Sequence, residues 1–514
     1  MPTKDLLKSH ALWPHWVALL AFISIISAAR LHTFDEPIER DLAVYAVTAH
    51  GLLHGRVLYS DLWDHKPPAI HLTYALAELV TGYGQQEFFF LGLLGTILTL
   101  VGLYRLGSST LGPQAGFWAA ALWTCICSDM SFEANQPNVE TFINAALVWT
   151  LVYIVPDGRT SRHLALAGSF LALAGFYKPQ AFLYIILFPA VIWTVERGGK
   201  RLSQALRSFL WLLIPSLVLW AVCFLYFFAV GRFQDFYDAV FVFNKFYSTQ
   251  RPTLVNLAMG FWPQNLFPDF SRFLGPTVVL IVLAALGSLR RLGNLWLFFL
   301  AYLAGTFLFV ASSGQFLPHY YQLWLPLLAL GGGMAIVVVG GWLKGLTPLP
   351  ALACLWLIVP HEVGFYSLSS HQWSDRKYHD HFLLAYDLAH SLKGILKPGE
   401  TFLHFGNETP LYFYAEADPP TGLTYIYPFK IGPLAERLNS RFLADQAAHK
   451  PQLVVLDNIV YAEYRPTYFK DYDLWRYYPI DKRYALLVRR GGELEARLRR
   501  EGRFFDRETV NRAD

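Results

Sequence analysis

Charge is scarce in this sequence. Only 16% of its 514 residues are Asp, Glu, Lys or Arg, while 54% are hydrophobic. Soluble domains carry roughly a quarter charged residues, so an ordinary soluble fold is excluded. Runs such as 16–29, 91–104 and 211–230 are too long and too apolar for a soluble core. The net charge is only +4, and no basic stretch is interleaved with aromatics. The net charge argues neither way, and the lack of such a stretch discounts nucleic acid as a partner. Cysteine is equally sparse. Cys125, Cys127, Cys223 and Cys354 all lie in or beside apolar runs, with no second pair to complete a zinc site and none in a polar loop. They read as small apolar packing residues, and no disulfide is expected. Low-complexity segments and solenoid-period repeats are missing as well. Lys4, Lys8 and His10 precede the first apolar run, but no small-residue cleavage pattern follows. That run is expected to be a transmembrane helix rather than a removed signal peptide.

What the chain does have is about eleven apolar segments near the length of a bilayer crossing. They fall near 12–32, 87–107, 113–129, 138–155, 163–178, 180–195, 208–230, 274–289, 294–312, 319–343 and 349–366. Basic residues set the orientation, because short cytoplasmic loops are enriched in Lys and Arg. Arg105, Arg159, Arg162, Arg197, Lys200, Arg201, Arg207, Arg290, Arg291 and Lys344 mark one side. Asp35, Glu36, Glu39, Asp41, Asp61, Asp64, Asp129, Glu133, Glu140, Asp235 and Asp238 mark the other, which is then outside. From about residue 367 the pattern turns to alternating helices and strands. Helices are expected over 376–393 and 432–447, strands over 401–405, 453–456 and 484–488, and a solvated helix at 493–500. The expected protein is a polytopic α-helical membrane protein of the cytoplasmic (inner) membrane, N-terminus inside. Its membrane domain spans 1–366, with a first outer loop at 33–86, and an extracytoplasmic α/β domain spans 367–514.

The first outer loop is the densest polar feature. Residues 39–53 suit an amphipathic helix lying along the membrane surface, with Leu42, Ala46, Ala49 and Leu53 on one side. Asp41 stands at its start and Tyr45 one turn later on the same face. Taken alone, Asp41 could serve only the positive end of the helix dipole. Pro67-Pro68 closes the loop and can open a helix over 69–80, which fixes Lys66 at its head beside Asp64 and His65. Ionisable groups of both signs gathered at a membrane surface point to a functional site.

Arg40-Asp41, Tyr45, Tyr59, Asp61 and the run Asp64-His65-Lys66-Pro67-Pro68 resemble the first outer loop of bacterial C-type (GT-C) membrane glycosyltransferases. These include the aminoarabinose and galacturonic-acid lipid-A transferases, related to protein O-mannosyltransferases. The helix layout, acid-rich outer loops and outer α/β domain extend the resemblance over the whole chain. The resemblance implies that Asp41 is the base for the acceptor and that Lys66 meets the phosphate of a carrier lipid. It further implies that Tyr45, Tyr59, Asp64 and His65 contact substrate. Relatives usually show Asp-Glu where this chain has Asp41-Leu42, so Asp35 and Glu36 stand as alternative bases. Asp41 is preferred because Tyr45 follows at the family spacing, whereas Glu39 occupies that place after Asp35.

Three further outer positions match relatives. Glu140, in the first turn of the fourth span, matches a second catalytic acid, although a helix N-terminus favours an acid in any case. Lys178, before Pro179, matches a phosphate contact, although an interfacial lysine can simply snorkel. His319-Tyr320-Tyr321 matches a donor-binding run, although such residues are also common in interfacial belts. The resemblance implies a hexosyl- or pentosyltransferase that moves a sugar from a polyprenyl-phosphate donor to a glycan, lipid or protein acceptor. No Gly-rich phosphate loop is present, as suits a lipid donor. No cofactor is expected; a divalent metal is compatible with the chemistry but unsupported by any spacing. Asp375, His379, Asp380 and His381 resemble a metal cluster but are read as a solvated helix face. A transporter or flippase is the alternative, and convergence of the loop charges on one cavity would separate the two. An assembly or sensor protein would not need the loop acids at all.

Overall fold

Inside a bilayer every backbone N–H and C=O must be satisfied within the protein, which leaves the helix for apolar runs of this kind. The computed structural model describes residues 13–196, 198–248, 250–266, 275–288, 293–478 and 483–503. Lys4, Lys8, His10, Arg197, Arg290 and Arg291 lie outside the described residues. Six described helices are long and apolar enough to cross a membrane: His15–His32, Gln85–Leu111, Arg201–Ala229, Leu295–Ser312, Pro318–Trp342 and Pro348–Phe365. The other expected segments coincide with shorter helices, Pro113–Ile126, Val139–Ile154, Ser161–Tyr177, Tyr184–Val195 and Gly275–Ser288. Each is shorter than the ~20 residues of a straight crossing. The chain is a multi-pass membrane protein.

It divides into two compact units, one of Met1–Asp35, Gln85–Tyr226 and Ser248–Trp373, the other of Glu36–Gly84, Phe227–Tyr247 and Ser374–Asp514. The first unit holds the long apolar helices. Lipid-exposed helices gain nothing from burying leucine, so close backbone approach is what binds them. A Cβ on Gly107 would meet the Gly116 backbone at 2.8 Å, and one on Gly333 would meet Ala119 N at 2.5 Å. Large side chains such as Leu217, Leu225, Leu352 and Trp356 stay exposed on the outside of the helices, as a lipid environment allows. Pro179 ends the Ser161–Tyr177 helix and starts a short 3-10 turn. The residue before a proline is driven out of the helical region, and Lys178 accordingly sits at φ −144°, ψ 120°.

The second unit carries a four-stranded sheet in the order β1-β2-β4-β3, where β1 is Phe402–Phe405, β2 Leu453–Asp457, β3 Tyr472–Tyr478 and β4 Tyr484–Arg489. β1 runs parallel to β2 with Phe402 opposite Leu453. β4 is antiparallel to both β2 and β3, with an irregularity in β3 between Leu474 and Arg476. β1, β2 and β4 are buried almost throughout, the pattern of strands covered on both faces. β3 is the half-exposed edge. The sequence reading missed it because Tyr472-Asp-Leu-Trp-Arg-Tyr-Tyr mixes polar and aromatic residues without clean alternation. It also missed helices Pro410–Ala415 and Asn458–Tyr468. The helix expected over 376–393 is two helices, Ser370–Tyr378 and His381–Ile395. The break falls at His379, whose φ of 56° no helix tolerates.

The first-loop helix runs Arg40–Leu53, with Glu39 as its cap: Glu39 accepts from Asp41 N at 2.8 Å and Leu42 N at 3.2 Å. A surface-lying amphipathic helix would leave one face open. Here Leu42 to Ala49 are buried without interruption. Small residues at Ala43, Ala46 and Ala49 let neighbours close on every side, among them the Pro68–Thr81 helix, with Tyr45 edge-on to Tyr74.

Candidate functional site

Two clusters gather the residues that the sequence singles out. The first lies in the second unit. Asp41 opens its helix, and Tyr45 directs its hydroxyl at Asp41 Oδ2 from 3.5 Å. Lys66 Nζ stands 3.7 Å from the same oxygen, with its side chain 12% exposed against 32% for Asp41. The more open partner is the carboxylate. Pro67 adopts φ −60°, ψ 161° and Pro68 is the first residue of its helix, so Lys66 is held on a stiff approach rather than a free loop.

Tyr59 braces this approach. It is fully buried, its hydroxyl donates to Lys66 O at 2.8 Å, and its amide donates to Leu62 O at 2.7 Å. Its φ of 69° is a left-handed conformation that costs about 1–3 kcal/mol for a bulky residue. Arg441, which donates to Tyr59 O at 3.0 Å, helps to hold it there.

Asp64 is buried at the centre of a polar knot. Oδ1 accepts from the Tyr425 hydroxyl at 3.0 Å and lies 3.3 Å from His65 Nδ1, while Oδ2 lies 3.1 Å from His71 Nε2. Burial alone would raise its carboxyl, but the hydrogen bonds and charge of His65 and His71 hold it well below the usual carboxylate range. A depressed carboxyl contributes stability that is complete above its unfolded value, near pH 4. That contribution disappears as pH falls through the lower folded value. Asp64→Asn should therefore lower the melting temperature wherever the carboxyl is ionised, with the gap to wild type closing only in strong acid. Thermal melts in detergent between pH 3 and pH 8 check this. A gap that closed near neutral pH would remove Asp64 as the titrating group.

Asp64 thus supports the loop from within; its partners Tyr425 and His71, and Arg441 on the Tyr59 carbonyl, are contacts that sequence reasoning did not find. Tyr425 and Arg441 are hundreds of residues away and carry no local signal; His71 sits in the same loop-to-helix stretch and could have been noticed. Of the alternative bases, Glu36 is buried with Lys377 Nζ at 2.5 Å and Asp35 is exposed. His381, read from sequence as solvated, lies with its Nε2 2.6 Å from Glu408 Oε1. His404 holds the other oxygen at 3.1 Å, and the two histidines keep the buried Glu408 carboxyl well below its usual range despite desolvation. Asp375, His379 and Asp380 are exposed, as expected of a solvated face. An open polar cleft of about 690 Å³ in this unit is lined by Arg56, Asp61, Asp418, Arg441 and Asp445, not by Asp41 or Lys66.

The second cluster lies in the first unit. Asn138 caps the Val139–Ile154 helix by accepting from Val139 N, which places Glu140 in the first turn, fully buried. Lys178 Nζ donates to Glu140 Oε1 and lies 4.0 Å from the centroid of the Tyr320 ring. His319 Nδ1 is 3.2 Å from Glu133 Oε2. Gln322, three residues along the same turn, donates to Glu133 O at 3.1 Å and accepts from Thr141 Oγ1 at 3.3 Å. Glu133 has φ 54° and is pinned by these contacts. The structure therefore brings Glu140, Lys178, His319 and Tyr320 together, and it adds Gln322, which the His319-Tyr320-Tyr321 run could have flagged.

Each cluster sets a carboxylate beside an ammonium, Asp41 with Lys66 in the one and Glu140 with Lys178 in the other. The likeness to known proteins agrees in fold. The family model described as dolichyl-phosphate-mannose-protein mannosyltransferase matches residues 65–230. ArnT from Cupriavidus metallidurans, solved bound to undecaprenyl phosphate, is similar over 94% of this chain and 99% of that one, with a TM-score of 0.57 at 14% identity. The archaeal oligosaccharyltransferase AglB from Archaeoglobus fulgidus, in complex with an inhibitory peptide and a dolichol-phosphate, is similar over 95% and 78%, with a TM-score of 0.54 at 14% identity. No curated protein sequence matches the chain. The fold is that of the GT-C membrane glycosyltransferases, and the chain resembles the lipid-A transferases and O-mannosyltransferases among them.

Proposed function

We propose that this protein is a glycosyltransferase that moves a sugar from a polyprenyl-phosphate donor to an acceptor outside the cytoplasmic membrane. In this reading about eleven segments cross the bilayer, and the loop over 33–86 and the segment 367–514 face outward. The observation that carries the reading is the Asp41–Tyr45–Lys66 set on a proline-braced loop, within a fold shared with ArnT and AglB. Asp41, the more exposed partner, takes the acceptor proton as the acceptor oxygen attacks the anomeric carbon. The sugar–phosphate bond breaks and the electron pair leaves with the carrier phosphate. Lys66 supplies fixed positive charge where that phosphate's charge develops, and Lys178 is the alternative phosphate ligand. Glu140 keeps Lys178 in place over Tyr320, and His319 and Tyr320 contact the donor. The sugar is a hexose or pentose, and the acceptor is a glycan, lipid or protein.

Lys66→Met keeps most of the stem and removes the charge. Donor binding should weaken about tenfold or more, since a charge-assisted contact to phosphate is worth roughly 1.5–3 kcal/mol. Lys66→Arg should rescue only in part, because a planar fork does not replace a compact point charge. Titration of the purified variants with polyprenyl phosphate checks this. Unchanged affinity in Lys66→Met would leave Lys178 as the phosphate ligand.

A further inference from the structure

A third polar group in the first unit is made of residues not used above. Asp129 follows the end of the Pro113–Ile126 helix, and His361 and Glu362 lie in the last turns of the Pro348–Phe365 helix. One donor atom from each, two carboxylate oxygens and an imidazole nitrogen, lies within 4.8 Å of the others. Asp129 is fully buried and Glu362 is 4% exposed. Glu362 Oε1 is buried and accepts no hydrogen bond from a described N–H or hydroxyl donor; its polar neighbour is the Asp129 carboxyl. Two carboxylates side by side, away from water, repel each other unless a proton or a cation lies between them. An imidazole at the same point adds a nitrogen donor and makes the set a three-ligand one.

We propose that Asp129, His361 and Glu362 hold a divalent cation of mixed oxygen and nitrogen preference, Zn²⁺ or Mn²⁺ rather than Mg²⁺ or Ca²⁺. An ion ~2.1 Å from each donor keeps its ligands at most about 4.2 Å apart. The three donor atoms lie within 4.8 Å of one another, so side-chain movements of about half an ångström at most complete the site. The ion would act as a clip. Asp129 already shapes the following loop by accepting from Phe132 N at 2.9 Å. Arg30 secures the far side of that loop by donating to Ala134 O at 2.9 Å and to Asn135 O. The loop ends at Asn138, which caps the helix bearing Glu140. A cation at Asp129 would fix the start of this loop to the Pro348–Phe365 helix.

The test is metal content and melting of the full-length protein in detergent. After dialysis against Zn²⁺ or Mn²⁺ and desalting, wild type should retain about one ion per chain, and chelation by EDTA should lower its melting temperature. Glu362→Gln and His361→Ala should each bind at least tenfold more weakly and lose the response to EDTA. His361 is only half-buried, so His361→Ala remains informative if Glu362→Gln folds poorly. Failure of wild type to retain either ion, or equal retention by wild type and His361→Ala, would overturn the proposal and leave the carboxyl pair sharing a proton.

Discussion

Asp41→Asn should lower turnover by about a hundredfold or more, the usual contribution of a positioned base, with expression and melting unchanged. The substitution keeps the size of the side chain and an acceptor oxygen for Tyr45, so the local geometry survives. What it removes is the capacity to take a proton. The Asp41 side chain is 32% exposed and is not locked into the interior, so little stability rests on its charge. Asp35→Asn should have a much smaller effect. Glu36→Gln should instead destabilise, because it leaves the buried Lys377 ammonium without its carboxylate. Turnover and melting measured together separate these outcomes. A larger turnover loss in Asp35→Asn than in Asp41→Asn would move the base upstream.

Lys178→Met should have the largest effect on stability. Its partner Glu140 is fully buried, and removing the ammonium from a buried pair costs about 3–5 kcal/mol. The contact with the Tyr320 ring is lost as well. Lys178→Met combined with Glu140→Gln should recover most of the melting temperature, since no uncompensated charge remains. That double variant should stay inactive if Lys178 is needed for the donor phosphate. Melting of the three variants in detergent checks the first point and donor turnover the second. A single Lys178→Met variant that melts like wild type would show that the pair does not hold this cluster.

Local chemistry explains what could be read from the sequence. Lys66 and Lys178 each precede a proline, which ends one segment, opens the next and fixes the lysine between them. That signal lies within a few residues and survives without knowledge of the fold. The long helices were legible for the same reason, as were β1, β2 and β4, whose apolar runs mark strands covered on both faces. The edge strand β3 was not, because a half-exposed strand carries a weak pattern. The character of the Arg40–Leu53 helix was misjudged, since its spacing suits a surface helix and only its neighbours decide that it is buried all round. Partners distant in sequence were hidden altogether. Nothing in the Asp64-His65 run announces Tyr425, and nothing near Asp129 announces Glu362. His381 shows the converse: beside Asp375 and Asp380 it looked solvated, and only the fold brings Glu408 to it.

The central claim is sugar transfer from a lipid phosphate, and one measurement reaches it directly. Purified protein incubated with a panel of polyprenyl-phosphate sugars, with cell-envelope extract as the acceptor source, should release polyprenyl phosphate from one donor. Asp41→Asn should release little from the same donor while binding it as well as wild type. Binding or membrane translocation of a lipid-linked sugar with no cleavage of the sugar–phosphate bond, from any donor in the panel, would contradict the account and favour a transporter.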